Sequence, residues 1–176
     1  MLKRYLAAAL VSTVMALAPQ LRAETVEYPE KNPLLTIEAP EGWKVFQEPD
    51  GPLTIQNEEV SVVAVFDSRV KGVNDLATAK EAVALQIKMT AETTGFTDMK
   101  AIKPVQSMQL NERIDGVGAQ YHAKFPNGEP CIYLVIFFAP NGTNYCSMEL
   151  SVKVKGLTPA VEKEWKAMID SIESKK

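Results

Sequence analysis

The spacing of hydrophobic positions changes several times along the chain, and each change marks an element. Residues 34–46, "LLTIEAPEGWKVF", give two short β-prone segments broken at Pro40–Gly42. A second turn, "EPDGP" (48–52), leads into "LTIQ", and after "NEE" comes "VSVVAVF" (60–66). Prolines and Asp-Gly beside β-branched residues predict hairpins here. From residue 74 the period becomes helical. Leu76, Ala79, Val83 and Ile87 fall on one stripe, Asn74 or Asp75 can cap the first turn, and Gly95 stands where a helix C-terminal glycine belongs. This spacing predicts a helix over 75–94. Before the first strand, residues 24–33, "ETVEYPEKNP", are polar and punctuated by proline, the pattern of an extended N-terminal arm.

Residues 99–154 read as an antiparallel meander. "MKAIKPVQSMQL" passes through "NERIDG" to "VGAQYHAKF", a "PNG" at 126–128 leads to "CIYLVIFFA", and a second "PNG" at 140–142 leads to "TNYCSMELSVKV". Asn-Gly supplies the positive φ angles that tight hairpin turns require. The chain closes with "TPAVEKEWKAMIDSI", in which Thr158 can cap, Pro159 suits the first helical position, and Val161, Trp165, Met168 and Ile172 form one apolar stripe. No low-complexity linker interrupts this order, so residues 34–176 read as a single domain.

The longest apolar run, Cys131 to Ala139, lies between the two PNG turns and begins at one of the chain's two cysteines. With Asn141-Gly142 at the centre of the hairpin, Cys146 faces Phe137 and Cys131 faces Val152. Residues 131 and 137 are then about 20 Å apart along the strand, whereas a disulfide tolerates about 7 Å between Cα atoms. Cys131 and Cys146 are therefore predicted to be unpaired. The same register puts Tyr133, Val135 and Phe137 on one face with Cys146, Met148, Leu150 and Val152. A strand apolar on both sides implies a central position with cover on both faces, which the two predicted helices could supply.

The N-terminus changes the picture of where the chain goes. "MLKR", the apolar "YLAAALVSTVMALA" and "PQLRA" follow the basic, apolar and small-residue order of a secretory signal peptide, residues 1–23, with Ala23 the last residue removed. Fourteen apolar residues fall short of the roughly 20 that a spanning helix needs. The expectation is an exported protein, periplasmic or secreted, with no membrane span after cleavage. Loss of Lys3, Arg4 and Arg22 takes the basic count from 19 to 16 against 22 acids, a net charge of −6. Such a chain has no electrostatic footprint for nucleic acid. At 46% hydrophobic residues it has material for a core without disulfide staples.

The search for chemistry returns little. His122, the one histidine, lies in "AQYHAKF" on the polar side of a strand with Gln120 and Lys124. No Gly-x-Ser-x-Gly elbow accompanies it, and one histidine with two separated cysteines cannot make a zinc site of the usual spacing. "PDGPLTIQNEE" lacks the spacing of a calcium loop, and "DGVGAQ" lacks the third glycine and following helix of a dinucleotide fingerprint. Glu58-Glu59 and Glu38 with Glu41 read as solvated loop charges with at most weak cation affinity. "NGT" at 141–143 matches a glycosylation sequon, but Asn-Gly turn chemistry already accounts for it. Trp43 is read as a core tryptophan starting a strand beneath a helix. No catalytic residue, cofactor or metal site is predicted, and the chain is read as no enzyme.

The order of two N-terminal hairpins, a helix, a meander and a C-terminal helix carries "PEGW" (40–43), "DGVGAQYHAKF" (115–125), "NYCSMELSV" (144–152) and "MIDSIES" (168–174). Together these resemble the PsbP-like α/β/α sandwich family over most of residues 34–174. That family includes the PsbP subunit of photosystem II, a Ran-binding nuclear import factor and periplasmic proteins related to DcrB. The C-terminal Ile-x-x-Ser occurs here only in shifted form, at Ile169 to Ile172. The resemblance implies an α+β fold, an antiparallel meander flanked by helices on both faces. It also implies a non-enzymatic accessory or adaptor protein binding another protein or complex of the cell envelope. The alternative is a small-molecule or lipid carrier with a sheet–helix cleft lined by Met89, Met99, Met108, Met148 and Met168.

Overall fold

The computed structural model describes residues 23–59 and 62–175. The predicted leader, residues 1–23, lies outside them except for Ala23. The elements follow in the order β1 (Glu24–Tyr28), β2 (Leu35–Ala39), β3 (Lys44–Gln47), β4 (Leu53–Asn57), β5 (Val62–Asp67), α1 (Leu76–Thr94), β6 (Thr97–Asn111), β7 (Ile114–Lys124), β8 (Pro130–Phe138), β9 (Cys146–Lys153), α2 (Pro159–Asp170) and β10 (Glu173–Ser174). Among the described residues the fold is α+β, with antiparallel sheets and two α-helices. Seven strands form one sheet in the order β3-β4-β5-β9-β8-β7-β6, and β1-β2-β10 form a small second sheet.

Local chemistry accounts for the helix ends. Asp75, rather than Asn74, caps α1: its Oδ1 accepts from the backbone N–H groups of Ala77 and Thr78, and the Thr78 hydroxyl oxygen accepts from the Asp75 N–H. Gly95 ends the helix at φ +71°, a conformation that costs a residue without Cβ little. Thr158 Oγ1 accepts from Val161 N–H at the start of α2, with Pro159 in the first turn.

Three expectations are corrected. Residues 24–33 are not simply an arm: Glu24–Tyr28 pairs antiparallel with β2 and buries Val26 and Tyr28. The segments either side of Pro40–Gly42 do not pair as a hairpin, because β2 belongs to the small sheet and β3 to the large one. The turn at "PEG" carries the chain between sheets.

The third correction concerns register. Observed pairs are Phe138↔Cys146, Ile136↔Met148 and Cys131↔Lys153, one residue away from the expected pairing. In both PNG turns only glycine takes positive φ, +82° at Gly128 and +78° at Gly142. The second turn closes with Gly142 N–H donating to Ala139 C=O, while Asn141 Oδ1 accepts from the N–H groups of Thr143 and Asn144. The side chain of Asn141 thus orders a seven-residue loop, 139–145, in place of a two-residue turn. An odd loop shifts the register by one and exchanges the faces of one strand relative to the other.

Two apolar clusters result. On one face of the large sheet, Ile136, Phe138, Cys146, Met148 and Leu150 pack with the small sheet and with Val161, Met168, Ile169 and Ile172 from the C-terminal region. The other includes Tyr133, Val135, Phe137, Val117 and Ala119 beneath Ala79 and Val83 of α1. Since side chains alternate along a strand, Cys131 lies on the α1 face and Cys146 on the opposite one, not on one shared face. Both are buried and free, and Cys146 sits opposite Phe138, about 23 Å along β8 from Cys131. No helix among the described residues is long and apolar enough to cross a membrane.

Candidate functional site

Helix α1 packs over β6, β7 and β8. On the same face β9 lies at the margin of the helix, and β5, β4 and β3 continue past it, with Glu149, Val63, Val65 and Thr54 half-buried. Pairing places Val65 opposite Glu149, Val63 opposite Ser151, Thr54 opposite Val65 and Phe46 opposite Thr54. Phe46 is 50% exposed, a large ring left to solvent at the sheet edge. Along α1 itself, Leu85 and Met89 are 58% and 47% exposed on the next turn of one helical stripe.

A groove of about 300 Å³ runs where α1 meets this half-face, floored by Val63, Val65, Tyr133 and Glu149. Glu149 Oε1 accepts from Gln86 Nε2 at 2.7 Å, and Oε2 accepts from the Thr90 hydroxyl at 2.9 Å and the Tyr133 hydroxyl at 2.5 Å. Each hydroxyl has one proton, so both protons are committed to the carboxylate and the Tyr133–Thr90 contact of 3.2 Å is a packing contact. Phe96 meets the Tyr133 ring edge-on at 5.5 Å between centroids, closing that side. Burial, the Glu149 charge and its hydrogen bond all push the Tyr133 hydroxyl far above its ordinary pKa. It is a fixed donor and neither a base nor a nucleophile. A second groove of about 220 Å³ continues along α1 over Phe137 and Ser147, bordered by Val70, Val73, Leu85 and Met89 and by Arg69 and Lys71.

A broader concavity, about 710 Å³, lies at the β6–β7 turn against α2 and is lined by polar side chains. Two of its groups, Asn111 and Arg113, are engaged in structure. Asn111 Nδ2 donates to the carbonyls of Ile169 and Ile172, and Arg113 pairs with Glu173 and donates to Asp170 C=O.

Residues singled out from sequence are not brought together. His122 is exposed on β7, between Lys100 of β6 and Ile132 of β8. Trp43 is buried beneath α2, its Nε1 donating to Glu164 Oε2 at 3.0 Å. Glu58 pairs with Lys44 at 2.9 Å, while Glu38 lies on β2 in the other sheet. Among the described residues no three His, Cys, Asp or Glu side chains converge as a metal would need. Burial raises the Cys131 thiol, and burial with the nearby Asp67 charge pushes Cys146 up to about 12. The methionines do not share a cleft: Met148 and Met168 lie in the core away from α1, Met108 packs against that same core, Met99 packs against the α1 cluster, and Met89 is exposed. The groove residues Gln86, Thr90, Tyr133 and Glu149 were missed. The available signal was a glutamate inside "CSMELSV", a carboxylate in the middle of an otherwise core-forming strand.

No protein-family model matches the chain, and no curated protein matches its sequence. Among solved structures it is similar to a point mutant of the protein Mog1, with a TM-score of 0.51, 14% identity, and 86% of this chain and 95% of that one covered. It is similar also to the Ran-binding protein Mog1p of Saccharomyces cerevisiae, with a TM-score of 0.50, 14% identity, and 86% and 96% covered. At this identity the likeness is one of fold. It overturns the expected membership among PsbP- and DcrB-related proteins, since the similarity found is to Mog1. The reading of an exported accessory protein with an envelope partner rested on that membership and on residues 1–23. It is withdrawn, with the periplasmic or secreted location, in favour of Mog1 as the point of comparison. The carrier alternative is withdrawn as well, because its methionine-lined cleft does not form.

Proposed function

We propose that the chain is a protein-binding domain that performs no reaction of its own. It is one domain with an α/β/α layering, in which α1 covers part of one face of the large sheet, and α2 with the small sheet covers the other. The observation that carries this reading is the half-face beyond α1: Val63, Val65, Thr54 and Phe46 beside the exposed Leu85 and Met89. Small ligands are held in concave sites that bury most of their surface. The grooves here are shallow and open along a strand-wide platform, a shape that suits side chains presented by another protein. The Mog1p neighbour, a Ran-binding protein on the same fold, supports the class of partner. The site also lacks an activated nucleophile, since its hydroxyls donate to Glu149 and both thiols are buried.

The test is direct binding. Proteins retained by the immobilised chain are purified separately and titrated against it by calorimetry. At least one is expected to form a saturable, stoichiometric complex that Phe46→Asp weakens. Absence of any saturable protein complex, with turnover of a small substrate by the purified chain, would sink the reading.

A further inference from the structure

The charge on the groove floor indicates what the partner presents. Glu149 stands mid-strand in β9 with its side chain on the α1 face, directly across from Val65. Its three hydrogen-bond donors, Gln86, Thr90 and Tyr133, are all neutral. Among the described residues, no lysine, arginine or histidine nitrogen pairs with it within 4.0 Å. By contrast, exposed carboxylates on this molecule, Asp98 and Glu173 among them, do have a cationic partner. Two carboxylate oxygens offer about four accepting positions, and three are used. Val63, Val65 and Phe96 form the apolar part of the walls around it, beside the neutral polar side chains of Thr93, Thr94 and Ser151. A half-buried negative charge without a counter-charge is costly unless hydrogen bonds or a cation compensate it. An ammonium or guanidinium on an aliphatic stem satisfies the charge and the walls together.

We propose that this groove seats a lysine or arginine side chain of the protein partner, its stem against Val63 and Val65 and its cationic head on Glu149. The inference rests on the protein-binding reading above and names the contact within it. The hydrogen bonds from Gln86, Thr90 and Tyr133 fasten α1 to the sheet, and they also hold the carboxylate in one rotamer. A receptor group fixed before binding loses little entropy when the ligand arrives.

The experiment uses the full chain, labelled with nitrogen-15, and three capped tripeptides, acetyl-Ala-Lys-Ala-amide, its arginine counterpart and its glutamate counterpart. The lysine and arginine peptides are expected to shift the amides of Val63, Val65, Thr90 and Glu149 saturably, and less so as salt is raised. The glutamate peptide should leave them in place. Glu149→Gln keeps the shape and an accepting oxygen, and should weaken the cationic peptides about tenfold, as for loss of one charge-assisted bond. Equal shifts in wild type and Glu149→Gln, or shifts spread over exposed acids alone, overturn the proposal. Val65→Lys supplies a second arm, because it places a lysine opposite Glu149 within the chain. Loss of the peptide response there supports the site, and an unchanged response overturns it. A captured protein that binds wild type and Glu149→Gln equally would remove this contact and leave the protein-binding reading standing. Cationic peptides that bind while no protein forms a saturable complex would do the reverse.

Discussion

Gly118 of β7 shows how little room the sheet leaves for a single atom. A Cβ there would stand 2.6 Å from the Val135 carbonyl oxygen and 2.8 Å from Met108 Sδ. The methionine can move, but the backbone oxygen belongs to the paired strand. Gly118→Ala is expected to destabilise the fold by about 1–3 kcal/mol, the usual cost of overpacking, measured by urea denaturation. The thiols answer to burial in the same way. Cys131 and Cys146 are raised out of the range of ready ionisation, and Cys146 is fully enclosed. Iodoacetamide should therefore leave both unmodified in the native protein and label both after denaturation, read by mass. Asp67 is the residue with a clear pH signature. Arg69 donates to its two oxygens at 2.9 and 2.7 Å, and this hydrogen bonding holds the carboxyl below the ordinary aspartate range. The folded pKa is lower than the unfolded one, so the contribution is fully present above about pH 4. It is lost as the pH falls through the lowered value. The difference in melting temperature between wild type and Asp67→Asn should shrink over that interval and stay constant above it.

At the scale of elements, the two helices were legible because their ends and stripes are local. Asp75, Gly95, Thr158 and Pro159 act within one turn of their own helix, and no distant residue is needed to place them. The end of α2 is different. Ile169 C=O in its last turn and Ile172 C=O just beyond it accept from Asn111 Nδ2 at the end of β6, both at 3.1 Å. Asn111→Ala removes the side-chain donor to Ile172 C=O and leaves Ile169 C=O to the Ile172 N–H, and should cost about 1–3 kcal/mol. Faster hydrogen exchange confined to the last turn of α2 would show that the loss is at the cap. The β8–β9 hairpin was legible as a hairpin but not in register. The two-residue reading assumed positive φ at both Asn141 and Gly142. Asn141 instead turns its side chain onto the following amides, a choice the dipeptide alone does not dictate. One residue of slip puts Glu149 on the face of Tyr133 and Val135, at the groove floor beneath α1, and not on the opposite face with Ile132 and Leu134.

At the scale of the whole molecule, Tyr28 couples the two sheets. Its hydroxyl donates to Gly51 C=O and accepts from Ser68 N–H, both at 3.1 Å, while its ring is fully buried beside the small sheet. Tyr28→Phe should lower stability by about 1–3 kcal/mol and speed exchange of the Ser68 amide, with the helices unaffected at first. Residues 24–28 gave no hint of this role, because "ETVEY" is polar and its pairing partners are elsewhere in sequence. The same limit applies to the candidate site. Local periodicity, caps and turn formers act over a few residues, and for that reason the sequence by itself determined the α+β class, both helices and the antiparallel meander, but not β1 or β10. Strand pairing, the division of β2 and β3 between two sheets and the cover of each face depend on contacts far apart along the chain. Only the tertiary structure decided that the cover of α1 ends at β9, where Gln86 and Thr90 meet Glu149. That boundary leaves Glu149 among neutral donors at the edge of an uncovered half-sheet, where a partner can reach it.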